Sequence, residues 1–131
     1  MAYLEWTTEL DVGVAKMNDE HQKLIELMNR FAELADAGAS RAQATAALDA
    51  LGQYTMEHFR DEEAMMALMG FPELDKHKLI HQALLKQFGE HADNFGRTGQ
   101  HQELLMFLKV WLKSHIKGVD TKYGKHAANA A

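Results

Sequence analysis

The sequence predicts an all-α fold: an up-down-up-down four-helix bundle with an N-terminal arm and a short C-terminal turn or helix. Three observations carry this. Four amphipathic stretches are separated by Gly, Pro or polar breaks. Within each stretch the apolar residues recur at steps of three and four, the spacing of one face of an α-helix. The breaks are short, which makes consecutive helices antiparallel neighbours.

The elements follow in order. Residues 1–17 form an arm in which Trp6, Leu10 and Val12 pack over one end of the bundle, with Tyr3 and Trp6 as anchors. The bundle itself occupies about 18–117, and 118–131 is a C-terminal segment of the same single domain. The first helix runs from Asn18 or Asp19, either of which can cap it, to Ala37, and Gly38 stops it. Its inward face carries His21, Leu24, Ile25, Met28, Phe31 and Ala35. The second starts after Ser40, a good N-cap, and ends at Gly70, with Ala44, Leu48, Leu51, Thr55, His58, Glu62, Met65 and Met69 inward. Gly52 within it costs about 1 kcal/mol relative to Ala, which that face outweighs. Pro72 stands where a third helix starts, a position that tolerates its missing N–H. That helix carries Leu74, His77, His81, Leu84, Phe88 and Phe95 up to the break Gly96–Gly99. The fourth spans Gln100 to Lys117, with Leu104, Leu108, Trp111, Leu112 and His115 inward, and Gly118 ends it. Asp120 opens a last turn through Tyr123, and the tail from Lys125 to Ala131 frays.

Composition narrows the function. A chain of 131 residues is long enough to bury a core. It has no uninterrupted apolar run of about 18 residues, so no membrane span is expected. Its N-terminus lacks the basic start and apolar stretch of a secretory signal. Lys and Arg number 14 against 19 Asp and Glu, a net charge of −5, which argues against nucleic acid and anionic lipid as partners. There is no cysteine, which removes disulfides, iron–sulfur clusters and thiolate zinc sites. Any metal must be held by nitrogen and oxygen. A cytoplasmic, monomeric protein is expected.

The chemistry concentrates in His21, the His58-x-x-x-Glu62 pair, the His77-x-x-x-His81 pair, and His115 followed five residues on by Asp120. The two i,i+4 pairs each place both side chains on one helix face. Taken singly, His21 or His115 reads as a satisfied core or surface histidine, His58 with Glu62 as an exposed helix pair, and Asp120 as a turn cap. Together they put imidazoles and carboxylates on faces that ought to be buried, which needs something to satisfy them. A metal pair does so. Imidazole with carboxylate and no thiolate suits iron or manganese over a structural zinc. If Glu62, Asp120 and a solvent-derived oxygen bridge two six-coordinate ions and five histidines complete them, one position stays open for a small molecule. Four-carboxylate, two-histidine di-iron sets are hard and anionic, and they suit oxygen activation. The nitrogen-rich set here favours reversible Fe(II)/Fe(III) changes, and so dioxygen binding over oxygen insertion.

The pattern Asp19-Glu-His21, His58-Phe59-x-x-Glu62, His77-x-x-x-His81 and His115-Ile116-x-x-x-Asp120 resembles the hemerythrins, and among them the single-domain bacteriohemerythrins, over about Trp6 to Tyr123. One member of that family, myohemerythrin, is a standard up-down-up-down bundle. The resemblance implies two iron ions with a bridging oxo or hydroxo group, and dioxygen as ligand. It implies that His77, His81 and His115 bind one iron and His21 and His58 the other, with Glu62 and Asp120 bridging. The vacancy then lies on the two-histidine iron. It also implies an apolar oxygen pocket, matched here by Leu24, Phe59, Trp111, Leu112 and Ile116, which keeps water and protons from the bound oxygen.

The expected function is therefore dioxygen binding rather than catalysis, for storage or for delivery to an oxygen-consuming enzyme. The alternatives are an oxygen or redox sensor acting through a partner, a di-iron peroxidase or nitric oxide reductase, and an iron store. Short chain ends argue against the sensor, and seven fixed ligands argue against the store. His91, His101 and His126 are expected to face solvent, and Asp61, Glu63, Glu73 and Asp75 to form a solvated acidic face.

Overall fold

The computed structural model describes residues 3–129. Five α-helices carry the fold: α1 (Ala15–Asp36), α2 (Arg41–Leu68), α3 (Leu74–Thr98), α4 (Gln102–His115) and α5 (Thr121–Asn129). A single 3-10 turn at Thr8–Leu10 lies in the arm, and a π-helical turn, Ile116–Asp120, joins α4 to α5. Helix α1 packs on α2, α2 on α3 and α3 on α4, and α4 closes the ring against α1. This is the expected four-helix bundle.

The core runs the length of the bundle, with Met28, Phe31, Leu48, Leu51, Met66, Leu104, Leu108 and Leu112 all buried. Each such side chain contributes about 1.5–3 kcal/mol by leaving water. Phe31 and Phe95 meet edge to face at 5.4 Å, tying α1 to the end of α3. Ser40 caps α2 as expected: its hydroxyl accepts from the Gln43 N–H at 3.2 Å, and Gln43 reaches back to the Ser40 N–H.

Several helix ends differ from the sequence expectation. Helix α1 begins at Ala15, and Val14 at its N-cap offers no side-chain bond. Asn18, expected as the cap, lies inside the helix. There its amide accepts from the Val12 N–H at 3.0 Å and donates to Asp11 at 2.8 Å, binding the arm to the bundle. Helix α3 starts two residues after Pro72, at Leu74. It runs through Gly96 to Thr98, and Gly99 at φ 74° then takes the left-handed conformation that stops it. Helix α4 begins at Gln102 and ends at His115, where the π turn takes over.

The tail is the largest correction. Expected to fray from Lys125, it is helical to Asn129. Three contacts hold it. Tyr123 is fully buried. A Cβ on Gly124 would collide with the carbonyl oxygen of Val12, so the helix lies directly on the arm backbone. The His126 ring donates to the Met69 carbonyl at 3.0 Å and packs on the Phe71 edge, so His126 is not solvent-facing either. Leu10 and Val12 are buried beneath, as the arm was expected to place them.

Candidate metal centre

Each helix of the bundle sends a donor to one interior volume. Helix α1 supplies His21; α2 supplies His58 and Glu62; α3 supplies His77 and His81; α4 ends on His115; the π turn ends on Asp120. All seven are buried, none more than 6% exposed.

The π turn explains the one spacing that an α-helix does not fit. Residues five apart on an α-helix are rotated by about 140° and face different ways. Widening one turn to the π form brings the fifth residue back over the first. His115 Nε2 and Asp120 Oδ1 are 3.0 Å apart as a result.

The carboxylates divide their oxygens between two sets of histidines. Glu62 Oε2 lies 3.1 Å from His21 Nε2 and 3.1 Å from His58 Nε2, and Asp120 Oδ2 lies 3.0 Å from His21 Nε2. Glu62 Oε1 lies 3.1 Å from His81 Nε2 and 3.6 Å from His77 Nε2. Asp120 Oδ1 lies 3.0 Å from both His77 Nε2 and His115 Nε2. Two donor groups result, one of His77, His81, His115, Glu62 and Asp120, the other of His21, His58, Glu62 and Asp120. In each, the donor atoms lie within 4.8 Å of one another.

A metal pair fits this arrangement, whereas hydrogen bonding leaves most of its inward atoms without a partner. His77, His81 and His115 Nε2, Glu62 Oε1 and both oxygens of Asp120 are buried without a hydrogen-bond partner. Their neighbours are close enough, but the angles are wrong. Each such orphan costs about 1–3 kcal/mol if nothing satisfies it. Donor atoms that approach one another closely yet off their hydrogen-bond axes converge on a common point between them. Neutral imidazole with carboxylate oxygen is a set that iron accepts.

Charge in the metal-free centre shows the same convergence. Burial disfavours the charged form of His58, but the Glu62 charge and the bond to Glu20 outweigh it and hold the imidazole up at about 10. Burial likewise opposes a raised His77, yet Asp120 and Glu62 hold it at about 9, and the same two carboxylates raise His21. Burial pushes Glu62 up, but His58 and His21 hold it well below the usual carboxylate range. Asp120, raised by burial and by Glu62, is brought down to about 2 by His115 and His21. The carboxylates thus favour positive charge on the histidines around them, and metal binding must displace any proton held there.

Three residues outside the ligand set hold members of it. Glu20 accepts from His58 Nδ1 at 2.7 Å, and Glu63 from His81 Nδ1 at 2.8 Å. Glu63 therefore leaves the solvated acidic face assigned to it from sequence. The Tyr123 hydroxyl donates to Glu62 Oε2 at 2.8 Å, and burial with the neighbouring carboxylates raises it far above its ordinary range, so it stays a donor. Sequence reasoning missed all three. The available signal was chemical: each ligand histidine has a second ring nitrogen that needs a partner.

Of the apolar residues expected near the centre, Leu24, Phe59, Trp111, Leu112 and Ile116 are all buried. The Phe59 ring stacks on His81 at 3.7 Å and also meets His58 and His115, at 5.9 and 6.0 Å. Trp111 meets the Phe59 ring edge-on at 6.0 Å. Two of the histidines outside the centre are not free. His91 stacks on Phe107 at 4.7 Å, and His101 bonds Asp36 at 2.6 Å, so neither simply faces solvent.

Fold and site together define a helical-bundle protein with paired histidine–carboxylate groups able to hold metal ions. The hemerythrin HHE cation-binding domain model matches residues 12–127. The chain is 33% identical over 125 residues to a bacteriohemerythrin of Stenotrophomonas maltophilia, covering 94% of this chain and 80% of that one. It is 35% identical over 121 residues to the myohemerythrin of Riftia pachyptila, covering 90% and 88%. A crystal structure of a hemerythrin leucine-to-alanine variant superposes with a TM-score of 0.87 at 28% identity, over 96% of this chain and 98% of that one. The chain belongs to the hemerythrin family, whose members bind a di-iron centre and generally bind dioxygen there. Its own His/Glu/Asp cluster is able to hold the metal ions.

Proposed function

We propose that this chain binds dioxygen reversibly at a di-iron centre and serves oxygen storage or delivery to an oxygen-consuming enzyme. His77, His81 and His115 would hold one iron and His21 and His58 the other, with Glu62 and Asp120 bridging. Iron held there would supply the reversible electron exchange that dioxygen binding needs. The division of the two carboxylates, one oxygen of each toward members of the three-histidine set and the other toward members of the two-histidine set, carries this reading. It leaves one metal position a ligand short of the other.

The chain's residues do the rest. Leu24, Phe59, Trp111, Leu112 and Ile116 would form the apolar surround that keeps water from the vacant position while admitting a small apolar gas. Glu20 and Glu63 fix the ring orientation of His58 and His81. A binding protein fits better than an enzyme because the carboxylates and hydroxyls beside the ligand set are engaged. Glu20, Glu63 and Tyr123 each hold a ligand, and the Thr55 hydroxyl donates to the Leu51 carbonyl at 2.7 Å. None stands ready for proton delivery to a substrate.

Admitting air to the anaerobic, iron(II)-loaded protein tests this. We expect a visible charge-transfer band that appears with oxygen and bleaches on its removal, over repeated cycles. One irreversible oxidation, or sustained consumption of a reductant, would contradict reversible binding.

A further inference from the structure

We propose that Tyr123 is a positioning residue that sets the two metal positions apart in affinity, by weakening one oxygen of Glu62 and not the other. The inference rests on the reading of the centre as a metal pair and adds a specific role for a residue outside the ligand set.

The geometry is one-sided. The Tyr123 hydroxyl reaches Glu62 Oε2 at 2.8 Å. That oxygen faces His21 and His58, at 3.1 Å each. The other oxygen, Oε1, faces His81 and His77 and has no hydrogen-bond donor. A phenol is a neutral donor at neutral pH, and Tyr123 is fully buried, so water does not compete for the bond. A donor on a carboxylate oxygen occupies a lone pair and draws electron density from it. Glu20 and Glu63 act oppositely, since they accept from ligand histidines and make those rings better donors.

The two-histidine position is already a nitrogen short, and Tyr123 further lowers the donor strength of its bridging oxygen. The chain thereby fills in a set order, with the three-histidine position first. Local structure makes the contact possible. Tyr123 lies three residues after Asp120 at the start of α5, and Gly124 lets that helix sit directly on the Val12 backbone.

Cobalt(II) titration of the metal-free protein, followed by calorimetry and by visible absorption, reads the two binding steps separately. For the unaltered chain we expect two ions bound in two resolved steps. In Tyr123→Phe the second step should tighten by roughly tenfold, with the first changing less, because a charged carboxylate oxygen is freed from its donor. Biosynthetic replacement of tyrosine by fluorotyrosine, a stronger phenol donor, should move the second step the other way and serves if Tyr123→Phe does not fold. An unchanged gap between the steps, or an equal fall in both constants, overturns the role of Tyr123 and leaves the metal pair standing. Binding of fewer than two ions by the unaltered chain overturns both.

Discussion

The two sides of the centre are built from different parts of the chain. His21 and His58 come from α1 and α2, and 0% and 1% of their surface is exposed. His77, His81 and His115 come from α3 and α4, at 3%, 1% and 6%. A groove of about 470 Å³ between α3 and α4 reaches His115 and Trp111 from outside, lined mainly by Ile80, Leu84, Met106, Phe107 and Val110. The three-histidine side thus meets the groove through His115, while His81 lies as deep as His58. A position that keeps a vacancy is better protected where water is excluded, while a position filled by protein ligands tolerates a wetter edge. The groove thus falls on the side of the proposed centre that has more protein ligands.

Breaking the shared element should have the largest effect. Glu62→Ala removes the carboxylate that serves both sides, so we expect iron to fall from two per chain to one or none by metal analysis. The loss should come with a lower melting temperature, because five buried imidazoles would face a single carboxylate. Retention of two ions would show that the sides do not depend on a common bridge.

The next effect is on pH. In the metal-free protein His58 and His77 sit at about 10 and 9, against an ordinary 6.5. A raised native value stabilises fully below pH 6.5, and that stability is lost as pH rises through about 9 to 10. Asp120, lowered to about 2 from 3.8, adds stability that is lost as pH falls through about 2. Thermal melts of the metal-free protein should therefore fall steadily from pH 6.5 to 10. The iron-loaded protein, whose histidines are neutral ligands, should show no such decline. Parallel profiles would contradict the coupling of proton and metal.

Smaller still are the outer contacts, one on each side. Glu20→Ala should weaken the two-histidine position and Glu63→Ala the three-histidine position, each by roughly 10–100-fold in metal affinity. Stepwise metal titration of the two variants would show different steps affected. The same step weakened in both would erase the distinction between the sides.

The four paired donors were legible because helix periodicity is a local property. His58 with Glu62, and His77 with His81, declare a shared face from spacing alone. Phe31, Leu51 and Leu108 were legible for the same reason. The rest depends on where other elements land. Asp120 stands five residues after His115, and only the π turn, which nothing in Ile116–Asp120 announces, brings the two together. Glu63 looks solvated because it neighbours Asp61 and Glu62, yet its carboxylate crosses to a ring on α3. Lys125–Asn129 reads as a frayed alanine-rich end, and it is ordered by Val12 and Met69, far away in sequence. Asn18 has the side chain of a cap but is used to tether the arm. In each case a long-range partner overrides a local preference.

Anomalous diffraction from iron-loaded crystals tests the division of the centre most directly. We expect two peaks bridged by Glu62 and Asp120, one bound by His77, His81 and His115 and the other by His21 and His58. A single peak, or two peaks bound by equal numbers of histidines, would contradict it.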